Sequence, residues 1–287
     1  MRQNSTPRTV SSLTFGERLR AAMDRHGPVC VGIDPHPQLL SEWGLSATAD
    51  GLRSFARTCV QAFAGRAAAV KPQSAFFEEY GSAGIGVLEE TIGAFRDAGT
   101  LVILDVKRGD IGSTMAGYAR AYLADGAPLA VDAITVSPYL GFGSLSPATD
   151  LAAATGRGVF VLALTSNPEG ASVQHAGGPG ASVAHSIVAG AAALNAHAAE
   201  RGILGSIGLV VGATVGTAVA DLGIDLAGAN APILAPGFGA QGAGSQEAAA
   251  VFGAALPRVL VASSRDILAA GPNIDLLRNR MERARIH

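Results

Sequence analysis

The chain has 287 residues, of which 48% are hydrophobic, 15% charged and only 5% aromatic, and it carries a formal net charge of −2. That length suits one domain in the size range of α/β barrels, while the near-neutral balance excludes a general electrostatic pull toward nucleic acid or an anionic membrane surface. Cys30 and Cys59 stand alone, without a CxxC pair, which excludes a disulfide framework and a structural zinc site and points to reduced thiols in a cytoplasmic protein.

Residues 1–14 read as a polar extension without the apolar centre of an export signal. Eight short apolar runs follow: Pro28–Asp34, Ala67–Pro72, Thr100–Lys107, Val131–Pro138, Gly158–Ser166, Ser206–Thr214, Ala231–Gly237 and Arg258–Ser264. Each is continuous rather than alternating, the pattern of strands covered on both faces in a parallel sheet. Between them lie Ala-rich segments such as "GLRSFARTCVQAFAG" and "SVAHSIVAGAAALNAHAAERG", with apolar residues at spacings of three and four. The most apolar long stretch, Ile207–Ala220, contains Gly and Thr and ends at Asp221, so it reads as a buried strand and helix start rather than a membrane span. Eight alternating units predict a closed (β/α)8 barrel in a single domain, with an open doubly wound sheet as the alternative. The Gly-rich connection Asn167–Ala181 is expected to be a mobile loop over the site.

A barrel places its chemistry at the carboxyl ends of the strands. Polar residues fall there: Asp34, Lys71, Asp105 with Lys107, Thr165 with Ser166, and Ser263, Ser264 and Arg265. Asp105 and Lys107 point the same way if the third strand runs on to Lys107. Lys71 ends the neighbouring strand, within reach of the same carboxylate. An acidic residue inside "VILDVK" is rarely buried without a partner, so lysines and aspartates here are expected to satisfy one another. Asp110, taken alone, reads as an N-cap for the helix that follows. His36 and His175 lie on loops and are read as solvated or structural.

The turn Pro236–Gly242 after the seventh strand is glycine-rich, and Arg265 closes the eighth; loops at these places commonly hold phosphate in barrel enzymes. The Arg265 fork matches the geometry of a phosphate group.

The run Asp105, Lys107, Asp110, Ile111 and Thr114, a D-x-K-x-x-D-I-x-x-T pattern, resembles the signature of the orotidine 5′-phosphate decarboxylase family. The likeness extends through "GIDPHPQLL", "VKPQSAFFEEYG", "LALTSNPEG", "LAPGFGAQG" and "VASSRDIL", from Val29 to about Leu268, and its wording is similar to the longer bacterial branch found in mycobacteria and their relatives.

What the resemblance implies is a cofactor-free, metal-free enzyme that converts orotidine monophosphate to uridine monophosphate and CO2. It assigns Lys107 as the cation and proton donor at C6, Asp105 as its neighbour beside the departing carboxylate, and Lys71 and Asp110 as the rest of an alternating Lys-Asp-Lys-Asp row. Asp34 corresponds to a ribose ligand and Ser166 to the reader of the pyrimidine edge. Gln241, Pro236, Gly237, Ser264 and Arg265 fall to the phosphate end. Asp110 and Thr114 correspond to residues that cross a homodimer interface into the partner's site, and Ile111, from the same signature, is expected to contact the substrate. Ser264 departs from the pattern, since the family often has Gly before the arginine. Two other readings remain: a related barrel acting on sugar phosphates through a metal-assisted enediolate or a lysine Schiff base, and a catalytically silent phosphoribosyl-binding protein.

Overall fold

The computed structural model describes residues 13–238 and 244–285. Eight parallel strands close into a barrel in sequence order: β1 Val29–Ile33, β2 Ala69–Pro72, β3 Leu101–Arg108, β4 Ala133–Val136, β5 Gly158–Leu164, β6 Ile207–Val211, β7 Ile233–Pro236 and β8 Val259–Ser263. β8 pairs back onto β1 through Val29 with Val261 and Val31 with Ser263, which leaves no open edge and rules out the doubly wound alternative. Seven strands lie inside their predicted runs, and β3 extends one residue further, to Arg108. Helices return the chain between most strands; between β6 and β7 the helix is only the turn Ala218–Asp221.

The helix Ala49–Phe63 shows why these segments pack as they do. The Thr48 hydroxyl accepts from the Gly51 N–H at its start, and Leu52, Phe55, Ala56, Cys59, Ala62 and Phe63 form one buried stripe against the sheet. Burying a side chain such as Phe55 stabilises by roughly 1.5–3 kcal/mol, so this outer layer between sheet and helices holds the barrel wall rigid.

Inside the wall a second apolar cluster fills the barrel, built from alternate strand residues Cys30, Ala69, Ile103, Ala133, Phe160, Val210, Leu234 and Leu260. The helix Phe15–His26 closes its amino-terminal end. Thr14 and Glu17 form a reciprocal capping box at the start of that helix, and Phe15, Leu19 and Met23 sink into the interior cluster. The Phe15 and Phe160 rings meet edge-on at 5.9 Å. A Cβ at Gly158 would lie 2.3 Å from the Phe15 ring, so only glycine fits there. With the bottom plugged, the carboxyl-terminal end is the open one.

Candidate active site

Two residues beyond the apolar layer, on the same faces of their strands, lie Gly32, Lys71, Asp105 and Thr135. The interior changes here from hydrocarbon to charge. Asp105 is 6% exposed, and both its oxygens are engaged: Lys71 Nζ donates to Oδ2 at 2.7 Å, while Lys107 Nζ at 2.6 Å and the Thr135 hydroxyl at 2.8 Å donate to Oδ1. Burial by itself would raise the Asp105 carboxyl, but the ammonium of Lys71, then that of Lys107, with their hydrogen bonds, outweigh it and hold the group at about 2. Burial would likewise lower the Lys71 ammonium, yet the carboxylates of Asp34 and Asp105 push it above its usual value. At neutral pH this centre is therefore a carboxylate clamped between ammonium groups.

A second partner of Lys71 is Gln73, one residue past the end of β2, whose Oε1 accepts from Nζ at 3.2 Å and whose backbone forms an isolated bridge with Asp105. Lys107 differs from its neighbours in backbone as well as charge. Its φ is +43°, left-handed for a residue with a Cβ, and the pairing of β3 with β4 loses its regular register between Leu104 and Arg108. Strain of this kind, on the order of 1–3 kcal/mol, persists where surrounding contacts over-determine it. It turns the half-exposed Lys107 side chain into the mouth while its amine stays on Asp105.

The remaining predicted residues divide into groups. Asp34 stands two residues above Gly32 on β1's continuation, and its buried Oδ1 has no hydrogen-bond partner among the described residues; nor has the buried Oγ of Ser264. The two lie close together: a Cβ at Gly32 would sit 2.5 Å from Ser264 Cβ and 3.2 Å from Asp34 Oδ2. Gly32 thus leaves room for two polar groups that face the mouth. Arg265 opens the short helix Arg265–Leu268 directly after β8, is exposed, and makes no ion pair among the described residues. Pro236 ends β7 with its carbonyl accepting from Ala213 N–H, and Gly237 follows at φ +109°, a conformation suited to glycine. Gln241 lies outside the described residues.

β5 ends at Leu164, so Thr165 and Ser166 stand on the loop beyond it rather than in the strand. The Thr165 hydroxyl is committed: it donates to Asn167 Oδ1 at 2.6 Å and accepts from Gln174 Nε2 at 2.7 Å, while Ser166 is exposed. The connection that follows contains two short helical turns, Pro168–Gly170 and Ala171–Gln174, tied to Thr165 through Gln174. His36 packs its ring on Phe76 at 4.1 Å.

Asp110 stands apart from the other members of the predicted row within this chain. Its Oδ1 accepts from the Ile111 N–H, and it does not cap the helix Gly112–Leu123, whose N-cap is Ile111. Ile111 is 62% exposed and Thr114 is exposed beside it. Sequence reading missed Thr135 and Gln73. The signal for Gln73 is its place in "VKPQS", directly past a strand-end lysine; Thr135 carries no signal until the strands are stacked in layers.

Fold and site together define a (β/α)8-barrel enzyme that keeps a lysine-bracketed aspartate in its mouth, with an arginine after the eighth strand that has no ion-pair partner among the described residues. A family model described as orotidine 5′-phosphate decarboxylase / HUMPS family matches residues 27–276. The chain is 58% identical over 271 residues to an orotidine 5′-phosphate decarboxylase of Salinispora arenicola, covering 94% of this chain and 95% of that one. It is 56% identical, with the same coverage, to the enzyme of that name from Streptomyces coelicolor. A crystal structure from Streptomyces avermitilis superposes with a TM-score of 0.89 at 52% identity, covering 95% of this chain and 93% of that one. The chain belongs to the orotidine 5′-phosphate decarboxylase family.

Proposed function

We propose that the chain decarboxylates orotidine 5′-monophosphate to uridine 5′-monophosphate, with Lys107 supplying both the cation and the proton. The observation that carries this is the placement of the Lys107 and Lys71 amines on opposite oxygens of a buried, ionised Asp105 at the open end of the barrel. When the C6 carboxylate leaves as CO2, its bonding electron pair stays on C6. An ammonium at that carbon stabilises the developing charge and then transfers a proton to it, which gives the C6–H of the product. At about 4 Å and an effective dielectric near 20, one charge pair contributes roughly 4 kcal/mol, against about 8–23 kcal/mol for enzymatic barrier reductions. The rest is assigned to pre-oriented neighbours and to binding energy at ribose and phosphate.

In this reading Asp105 aims Lys107 and stands beside the departing carboxylate, and Lys71 neutralises it from behind. Asp34, whose buried Oδ1 has no hydrogen-bond partner among the described residues, takes the ribose hydroxyls, and Ser166 the pyrimidine edge. Arg265 takes the phosphate together with Ser264, Pro236, Gly237 and Gln241. Asp110, Ile111 and Thr114 act in the site of a second copy. Support for a homodimer comes from the exposure of Ile111 and Thr114, and of Tyr139 at 79% and Leu140 at 53% on the loop after β4, which meets the end of β3 where the Ser137 N–H donates to the Arg108 carbonyl. A cytoplasmic setting suits the two unpaired, buried cysteines; among the described residues no helix is long and apolar enough to cross a membrane.

The test is turnover by protein treated with chelator, followed as loss of the ultraviolet absorbance of the orotate ring. Conversion to uridine monophosphate supports the reading. An absolute metal requirement supports metal-assisted chemistry on a sugar phosphate instead, and tight nucleotide binding without turnover supports a silent binding protein.

A further inference from the structure

The β4 residue Thr135 is 1% exposed, so its side chain cannot reach a substrate in the mouth. Even so, its hydroxyl joins the two parts of the centre that must be held in register. It accepts from the Lys107 backbone N–H at 2.9 Å and donates to Asp105 Oδ1 at 2.8 Å. The direction of both bonds is fixed by chemistry. An amide nitrogen only donates and an ionised carboxylate only accepts, so the single hydroxyl proton points at Asp105 and the oxygen lone pair at Lys107.

The same Asp105 oxygen receives the Lys107 amine at 2.6 Å. A closed circuit results: Lys107 backbone to Thr135, Thr135 to Asp105, and Asp105 to the tip of the Lys107 side chain. Lys107 is also the residue with φ +43°, at the point where the register between β3 and β4 becomes irregular. A left-handed kink at a residue with a Cβ needs an outside contact to hold it, and the hydroxyl is a contact anchored in the neighbouring strand. Alternation places Thr135 here, two residues beyond Ala133 of the interior layer and level with Lys71 and Asp105.

We propose that Thr135 is a positioning residue for the decarboxylation: its hydroxyl fixes the backbone kink at Lys107 and the rotation of the Asp105 carboxylate together, and so sets where the Lys107 amine stands. The inference rests on the function proposed above. Thr135 has no surface in the mouth, so its removal acts on the rate of the chemical step and leaves substrate affinity nearly intact.

Thr135→Val keeps the branched shape and removes both hydrogen bonds, whereas Thr135→Ser keeps the hydroxyl and drops the methyl. Steady-state kcat and KM for orotidine monophosphate, and the Kd for uridine monophosphate, are measured for both variants beside the unaltered protein. Expected is a fall in kcat on the order of 10–100-fold for Thr135→Val, as for a displacement of a reacting group by a fraction of an ångström to an ångström. KM and Kd are expected to change little, and Thr135→Ser to recover most of the rate. A Thr135→Val enzyme with near-normal kcat, a loss that falls mainly on KM and Kd, or a Ser variant as slow as the Val variant each overturns the proposal. Should Thr135→Val not fold, Thr135→Ala replaces it in the comparison, and failure of both to fold assigns Thr135 to structure alone and overturns the proposal too. Absence of turnover in the unaltered protein is a separate outcome, which sinks the functional reading and this inference with it.

Discussion

Replacing Asp105 with asparagine removes the one negative charge that both lysines share while keeping nearly the same volume. The carboxyl is held at about 2 against an ordinary value of 3.8, and each pKa unit corresponds to about 1.4 kcal/mol. The ionised form is therefore favoured in the folded protein by roughly 2–3 kcal/mol, a figure that needs little discount for solvent because the side chain is 8% exposed. Leaving the Lys71 ammonium, itself only 11% exposed, without this partner adds to the loss, and breaking such buried pairs costs about 3–5 kcal/mol. Asp105→Asn is thus expected to lower the melting temperature at neutral pH by several degrees, about 2–4 °C per kcal/mol for chains of somewhat smaller size. The sign with pH follows from the depressed value. The contribution of the carboxylate is present in full above pH 3.8 and is lost as pH falls through about 2. The raised Lys71 value works at the other end, contributing below pH 10.5 and losing that contribution only above it. The stability gap between the two proteins, measured by denaturant unfolding or thermal melting, is expected to be constant over about pH 5–9 and to close between about pH 4 and 2. A variant as stable as the original protein at neutral pH, or a gap that stays open at pH 2, would mean that the ionised Asp105 does not stabilise the fold.

Other consequences concern the substrate's far end and the assembly. Arg265→Ala is expected to raise KM for orotidine monophosphate by about 10–100-fold, the effect of losing a charge-assisted hydrogen bond of roughly 1.5–3 kcal/mol. Its activity on orotidine lacking the phosphate should match that of the unaltered protein, and an equal loss on both substrates removes the phosphate assignment. Mixing Asp110→Ala with Lys107→Ala protein tests the shared site: activity regained in the mixture supports residues acting across an interface, and no recovery means that each subunit works with its own Asp110.

The eight strands were legible because a parallel barrel wall buries both faces, which forces continuous apolar runs such as "LVILDVK" and "RVLVASS". The helix Phe15–His26 was not read, although its T-x-x-E capping box stands in the sequence at Thr14–Glu17. A helix before the first strand has no place in a strict β-then-α alternation, and only the packing of Phe15 on Phe160 shows that it plugs the barrel. Lys71, Asp105 and Lys107 were legible because charge at the end of an apolar strand demands partners. Thr135 was not, because threonine is ordinary in a strand; its part follows from lying level with Asp105 across the β3–β4 pairing. The left-handed turn at Lys107 had no glycine or asparagine to announce it. Asp110 illustrates a different limit: its local context suggests a helix cap, whereas the cap falls to Ile111 and the carboxylate turns onto the Ile111 N–H.

The central claim is that the Lys107 amine stands where C6 gains its electron pair and its proton. It is tested most directly by measuring turnover of orotidine monophosphate and binding of uridine monophosphate side by side for Lys107→Ala and the unaltered protein. Lys107→Ala is expected to lower the rate by at least about 10²–10⁴-fold, the contribution of a positioned acid, with nucleotide binding within a few-fold of normal. A Lys107→Ala enzyme that turns over at a near-normal rate contradicts it.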